Sequence, residues 1–297
     1  MFDDSAPLVS VIIPTYGRAQ LLSRAIDSVL KQTYQNLEII VINDNDLNSE
    51  HYQPTIMIMK RYENNPKVKF VSDGRNVGGS LARNKGIDAS LGEYITFLDD
   101  DDYYYAEKIN TQLRELIENK ANGCVCNMDI LKNGNIINDS RSYARVKSLE
   151  NFLVYGNCFT PMLLVEKNVL KAVNSFTKAP RFQDHILLIK ILNKKFKIHH
   201  VNESLFVHND HEDFRITKNN LDSYFVRWSI EDEIIKNKDN EFLKNYWFKR
   251  HLDNVRVLRD SKKKIKSMEL CFKILIKCPS FFMFKAWLKT FSSILIK

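Results

Sequence analysis

Four consecutive aspartates, Asp99 to Asp102, follow directly on the apolar run Tyr94-Ile95-Thr96-Phe97-Leu98. Adjacent carboxylates repel one another, so a fold that sets four of them at a strand end is expected to gain a compensating hard cation. Such an ion beside a strand end suits phosphate chemistry. The competing reading is a solvated acidic turn, and the company the run keeps argues against it. Thr15-Tyr16 follows Val9 to Pro14, and Asn43-Asp44 follows Val41-Ile42. The stretch Asn76-Val77-Gly78-Gly79-Ser80-Leu81-Ala82-Arg83-Asn84-Lys85-Gly86 opens a helical pattern.

These groups need a scaffold. Residues 9 to about 100 alternate short apolar runs with helical periodicity, which predicts parallel βα units. Strands are expected at Val9 to Ile13 (stopped by Pro14), Leu37 to Ile42, Val68 to Val71 and Tyr94 to Leu98. One helix carries Leu22, Ala25, Ile26, Val29 and Leu30 on one face. A second begins around Pro54 with Ile56, Met57 and Met59, and a third runs from Gly78-Gly79 to near Gly92. Ligands of open α/β sheets bind at the carboxyl ends of strands, where Thr15-Tyr16, Asp44 and the four aspartates fall.

The second half reads as a mixed sheet with helices. Helices are expected over Ala106 to Asn119, Leu149 to Tyr155, Asn168 to Val173 and Asp184 to Leu192. Strands are expected at Gly123 to Ile130, beyond the Asn133-Gly134 turn, and at Phe196 to Val201. From Asn219 to Arg259 the pattern is helical, with Tyr224, Trp228, Ile235, Leu243, Trp247 and Leu252 as packing residues. Three segments result: a domain over 1–215, an appended helical region over 216–260 and a basic amphipathic tail over 261–297.

Composition is that of a globular protein, 44% hydrophobic and 27% charged. Five scattered cysteines, Cys124, Cys126, Cys158, Cys271 and Cys278, lack zinc spacing and read as reduced. Met1-Phe2-Asp3-Asp4-Ser5 lacks the basic region of a secretory signal, which predicts a cytoplasmic protein. Residues 262–297 hold nine lysines against Glu269, and so carry the whole net charge of +8. The balanced remainder excludes a nucleic-acid-binding body.

Taken together and in order, the motifs around Val9 to Tyr16, Val41 to Asp44, Asn76 to Gly86, Gly92 to Asp102 and Gln183-Asp184-His185 resemble the family-two glycosyltransferases of the GT-A fold over roughly residues 8 to 210. This resemblance implies a Rossmann-like nucleotide-binding half, a mixed central sheet and C-terminal helices. It implies an inverting hexosyl- or N-acetylhexosaminyltransferase acting in bacterial capsule, lipopolysaccharide or other surface polysaccharide synthesis. Pro14, Thr15, Tyr16 and Asn76 would line the nucleotide pocket, and Asp44 would accept the imide N–H of uracil, favouring a UDP-sugar donor. Arg83 would lie near the base or diphosphate. Asp99 would face ribose or metal, Asp101 would ligate Mn²⁺ or Mg²⁺, and Asp100 would support them; the register Asp100 to Asp102 stays open. His211 or His208 would be a further metal ligand, with Arg215 on phosphate. Asp184 would be the general base for the acceptor hydroxyl. Asn43-Asp44-Asn45-Asp46 stands where the family commonly has two acids and a small residue, with Asp46 read as forming an Asx turn, and Gln183 stands where the family usually has an acid.

In the tail, Ile265, Met268, Phe272, Leu275 and Ile276 recur at helical spacing, followed by Phe281, Phe282, Phe284, Trp287, Leu288, Phe291, Ile294 and Leu295. Lysines beside apolar surface suit an interfacial helix on anionic lipid at the inner face of the membrane, where a glycolipid acceptor would be met. Packing on the enzyme's own body or on a second subunit is the alternative. Two rival functions are weighed: a metal-dependent nucleotidyltransferase or phosphohydrolase, and a non-catalytic nucleotide-sugar-binding protein. The first lacks a phosphate-cradling loop or dedicated nucleophile.

Overall fold

The computed structural model describes residues 6–210 and 221–296. Its sheet starts where the apolar runs predict. Strand β1 (Val9–Thr15) lies between β2 (Leu37–Asn43) and β4 (Tyr94–Phe97), with β3 (Val68–Ser72) beyond β2, all parallel. Val9, Val11, Ile12 and Ile13 are fully buried, and each such side chain contributes roughly 1.5–3 kcal/mol of burial.

Pro14 does not stop β1. The Ile12 carbonyl accepts from Leu98 N on the β4 side, and Thr15 O accepts from Asp44 N on the β2 side. Alternation therefore turns the Pro14 nitrogen toward β4, whose pairing has ended at Phe97, so no ladder hydrogen bond is lost.

Helices α1 (Ala19–Leu30), α2 (Tyr52–Met59) and α3 (Gly79–Ala89) connect these strands. Pro54 is the third residue of α2, which begins two residues earlier than expected, and Met57 points to solvent. Helix α3 lies so close to β1 that a methyl on Gly86 would come 2.4 Å from Ile12 Cγ2. That approach fixes the height of Arg83, one turn earlier.

Beyond β4 the sheet becomes mixed. Its order is β3-β2-β1-β4-β8-β6-β9-β5, where β5 is Tyr103–Tyr104, β6 Gly123–Lys132, β8 Leu163–Glu166 and β9 Ile198–Asn209. Strand β7 (Asn135–Ile137) pairs with β6 across Asn133 and Gly134, both at positive φ as the Asn-Gly turn demands. Helices α4 (Lys108–Glu118), α6 (Lys167–Ala172) and α7 (Gln183–Asn193) complete this part, and α5 (Leu149–Tyr155) follows β7 in the chain.

Strand β8 gives no alternating signal because Leu163, Leu164 and Val165 are all buried. Strand β9 runs eight residues past its expected end at Val201. Its register with β6 jumps from Cys126↔Val201 to Asn127↔Ser204, so polar Asn202 and Glu203 bulge outward while the strand continues to His208.

The chain divides into two compact units. Among the described residues one comprises 6–149, 156–179 and 183–210, the other 150–155, 180–182 and 221–296. The second contains α8 (Leu221–Ile235), α9 (Asn240–Asp260), α10 (Lys264–Leu275) and α11 (Phe281–Ile296). Within it Ser267 Oγ donates to Val255 O at 2.8 Å and Trp287 Nε1 to Cys271 O at 2.7 Å, tying α10 to α9 and α11. Trp247 is not a packing residue: it is exposed, with the Arg250 guanidinium 5.0 Å from its ring. All five cysteines are free.

Candidate active site

Asp44 extends the β1–β2 ladder by one bond and then aims its carboxylate at the loop that opens α3. Its two oxygens accept from Val77 N at 2.8 Å and Gly78 N at 3.0 Å. Gly78 sits at φ +85°, which allows two successive amides to converge on one carboxylate. Burial raises the Asp44 pKa and the two amides oppose it. Each oxygen keeps a lone pair for a donor group. Asp46 accepts from Asn76 N at 2.9 Å, while Asn76 itself is exposed.

Asn45, one of the departures from the family pattern, is fully buried. It accepts from Gly17 N at 2.9 Å and donates to Asn43 Oδ1 at 2.7 Å and Thr55 Oγ1 at 3.2 Å. An acid would have no proton for Asn43 or Thr55. Asn45 thereby anchors the turn after β1 that holds Tyr16, Gly17 and Arg18. Thr15 is buried; Pro14 and Tyr16 are half-buried, with Tyr16 edge-on to His51 at 6.4 Å.

Every aspartate of the run has a partner in the protein. Asp99 pairs with Arg83. Asp100 is fully buried, 2.8 Å from Arg18 Nη2, and accepts from Tyr16 N at 3.2 Å. Asp101 pairs with Arg18 Nη1, and its carbonyl accepts from Arg24. Asp102 accepts from Asn209 N at 2.9 Å and lies 3.1 Å from His208 Nδ1. The compensation expected from a metal is thus supplied by Arg18, Arg83 and His208.

Of the four side chains only Asp99, at 31% exposure, presents itself openly. Burial pushes the Asp100 pKa up to about 7 against the pull of Arg18. Burial likewise raises Asp102; on His208 desolvation is the largest influence, but the charge and hydrogen bond of Asp102 together with the charges of Asp99 and Asp101 overcome it and raise its pKa. That pair shares charge rather than offering it.

Arg83 reaches across from α3 to join Asp99 and the start of α7. Its Nη1 donates to Gln183 Oε1 at 2.8 Å and to Gly79 O at 3.2 Å. Gln183 in turn donates to Ala179 O at 3.3 Å. A glutamate at 183 could receive from Arg83 but could not donate to Ala179. The next residue, Asp184, accepts from His185 N at 2.7 Å. Its pKa rises to about 6, chiefly by desolvation, with Arg83 opposing and Asp99 adding. A carboxyl whose pKa burial raises to about 6 has the basicity a general base needs.

The structure therefore brings Asp44, Arg83, Asp99 and Asp184 around the carboxyl ends of the parallel strands. Asp100, expected beside the nucleotide, is instead enclosed between Arg18 and Tyr16 N. His208 faces Asp102, and His211 and Arg215 lie outside the described residues. Asp99 and Asp101 have the oxygen chemistry for Mn²⁺ or Mg²⁺, but among the described residues no three metal-ligating side chains converge. With Arg18 seated on Asp101, the arrangement does not fit a cation. Arg18 followed Gly17 in an unremarked position; its signal was the single basic residue one turn residue after Thr15-Tyr16.

Comparison with known proteins bears on the family and the fold. The family model described as glycosyl transferase family 2 matches residues 10–161. The chain is similar to an uncharacterized glycosyltransferase of Rickettsia felis, 30% identical over 80% of this chain and 41% of that one. It is also similar to the putative colanic acid biosynthesis glycosyl transferase WcaA of Escherichia coli, 34% identical over 42% of this chain and 45% of the other. It thus spans less than half the length of both relatives. Its fold is similar to that of S. aureus TarS 1-349 in complex with UDP-GlcNAc, with a TM-score of 0.67, 19% identity, and 85% and 80% of the two chains covered.

Proposed function

We propose that this chain, which belongs to glycosyl transferase family 2, moves a sugar from a UDP-sugar donor to a glycan acceptor with inversion at the anomeric carbon. The observation that carries the reading is the convergence of Asp44, the Arg83–Asp99 pair and Asp184 at one strand-end site. The UDP-GlcNAc held by TarS supports a UDP donor, and the name of WcaA supports a role in surface polysaccharide synthesis.

In this reading Asp44 receives the uracil N–H on its remaining lone pairs. Tyr16 and the Asn76–Gly79 loop bound the nucleotide. Arg83, positioned by Gln183, neutralises charge beside Asp99. Asp184 takes the acceptor hydroxyl's proton as that oxygen attacks the anomeric carbon. The bond to the diphosphate breaks and UDP leaves.

Calorimetry with a panel of nucleotide-sugars tests the donor. UDP-sugars should bind at least tenfold more tightly than GDP- or CDP-sugars; a preference for either of the latter would remove the role given to Asp44.

The acceptor is proposed to be lipid-linked and met at an anionic membrane surface. Among the described residues no helix is long and apolar enough to cross a membrane. Helices α10 and α11 bury Cys271, Ile274, Met283 and Trp287 within their own unit, yet leave Ile265, Phe272, Ile276, Phe281 and Phe282 exposed among the lysines. Lysine charge around exposed apolar side chains is complementary to acidic headgroups. The full chain should sediment with phosphatidylglycerol vesicles and not with phosphatidylcholine vesicles, and Ile276→Ser with Phe281→Ser should abolish this. A variant that forms smaller oligomers with unchanged vesicle binding would assign the face to a second copy instead.

A further inference from the structure

We infer that Tyr143, Arg145 and Lys147, with Arg141 at their head, form a ledge that binds an acidic glycan, so that the acceptor carries carboxylate or phosphate groups along its sugar chain. This assignment deepens the acceptor side of the proposed function and rests on it.

Beyond β7 the chain passes through a short 3₁₀ turn, Ser140–Ser142, into an extended stretch. Its side chains alternate strictly. Ser142, Ala144 and Val146 are buried, whereas Tyr143, Arg145 and Lys147 are exposed, Tyr143 by 51%. At about 3.3 Å per residue the three outward side chains span roughly 13 Å, longer than one sugar ring.

The backbone under this row is held from behind. Asn157 Nδ2 donates to Arg141 O at 2.9 Å and to Tyr143 O at 2.8 Å, and Arg145 N donates to Asn157 O at 2.8 Å. Ala144 N donates to Oδ1 of the buried Asn127 at 3.0 Å. A backbone clamped in advance lowers the ordering cost of binding along the row.

The charge of the row is unbalanced. Residues 140–148 hold three cations and no acid. Arg141 pairs with Asp139 at 3.0 Å and Asp210 at 2.8 Å, while among the described residues Arg145 and Lys147 form no ion pair. Arg145 offers a planar fork matched to carboxylate or phosphate, and Lys147 a point charge. Tyr143 adds an apolar ring for a sugar face, with a hydroxyl at its edge.

The position suits an acceptor. Asp210, the partner of Arg141, follows Asn209, whose amide holds Asp102 at 2.9 Å. The row therefore starts beside the aspartate run, on the β6–β9 side of the sheet. Asp44, which receives the donor's base in the proposed function, follows β2, and β1, β4, β8 and β6 lie between that strand and β9.

Calorimetry on the full chain at low salt, without donor, tests this with hexagalacturonate, phosphorylated maltohexaose and uncharged maltohexaose. At least one acidic chain should bind about tenfold or more tightly than maltohexaose, and the tighter of the two identifies the charged group. Arg145→Gln with Lys147→Gln should remove the preference and leave UDP affinity unchanged. Tyr143→Ala should weaken the acidic chain severalfold, which attraction between charges alone does not predict. Lys262→Gln with Lys263→Gln, in the basic tail, should leave acidic-chain binding intact. Equal affinity for charged and uncharged chains, a preference that survives the row variant or is lost in the tail variant, or unchanged binding in Tyr143→Ala overturns the inference. Failure of the donor reading shows separately, as absence of UDP binding to the wild type.

Discussion

Two buried charge clusters of this molecule have opposite balances. In the helical unit, Asp253 accepts from Lys249 Nζ at 2.7 Å and from Arg256 at 3.2 Å, and lies 3.4 Å from Arg227. Arg227 also donates to Glu231 at 2.7 Å, whose other oxygen accepts from Tyr246 at 2.8 Å. Three cations meet two acids, mostly at i,i+3 and i,i+4 spacings. Although burial opposes its charge, Asp253 is held well below the usual carboxylate range. At the strand ends, Asp99 to Asp102 and Asp184 face Arg18, Arg83 and His208. There the acids are in excess, and Asp100 and Asp184 are pushed up instead. A cluster whose charges close among themselves holds a fold together. One that leaves anionic surplus at the strand ends retains capacity for a proton.

The sharpest way to break this contrast is to neutralise one acid in each cluster. Asp184→Asn should lower kcat by roughly 10² to 10⁴ while leaving UDP affinity within a few fold, the loss expected for removing a general base. In the wild type the rate should rise with pH through about 6 as Asp184 ionises. Full turnover in the variant would remove Asp184 from the chemistry.

Asp253→Ala should do the reverse. It strands Lys249 and Arg227 without their shared carboxylate, and breaking a buried pair from one side costs about 3–5 kcal/mol. The unfolding midpoint in urea should fall sharply, with UDP affinity of the folded fraction unchanged.

The two clusters should also differ in the sign of their pH dependence. Asp100, with its folded pKa raised from 3.8 to about 7, contributes stability present below about pH 4 and lost as pH rises through 7. Asp253 is lowered, so its contribution is present above about 4 and lost as pH falls through its folded value. At about 1.4 kcal/mol per pKa unit, Asp100 accounts for a decline on the order of a few kcal/mol between pH 4 and 7. Denaturant titrations should show Asp100→Asn flattening that decline and Asp253→Asn leaving it intact.

What the sequence disclosed follows the same division. The parallel strands were readable because Val9 to Ile13 and Leu37 to Ile42 are unbroken apolar runs, and the family resemblance came from motifs at their ends. The compensation of the aspartates was not readable. Arg18 is 83 residues from Asp101 and His208 is 106 from Asp102; no local period connects them. Nor was the bulge at Asn202-Glu203, which turns a polar interruption into continuous strand and carries His208 inward. In the tail the helical spacing of apolar residues was visible, but not which side would be covered: Cys271 and Ile274 are buried while Phe272 and Ile276 are exposed.

Asp44 gives the smallest expected effect and the finest test, because it belongs to both categories. Its oxygens hold Val77 N and Gly78 N, a structural task, and in the proposed function they also receive the donor's uracil. Replacing it by asparagine keeps the shape, removes the charge and leaves one of the two amides facing an NH₂ group. The loss of a hydrogen bond to a charged acceptor is worth about 1.5–3 kcal/mol. If that loss falls on the donor, UDP affinity drops roughly tenfold or more. If it falls on the loop, the midpoint in urea moves instead. Calorimetry and unfolding on Asp44→Asn therefore separate the two. An affinity loss with little change in stability would place the carboxylate's main energy on the ligand. A stability loss with intact UDP binding would make Asp44 part of the scaffold, akin to Asp253.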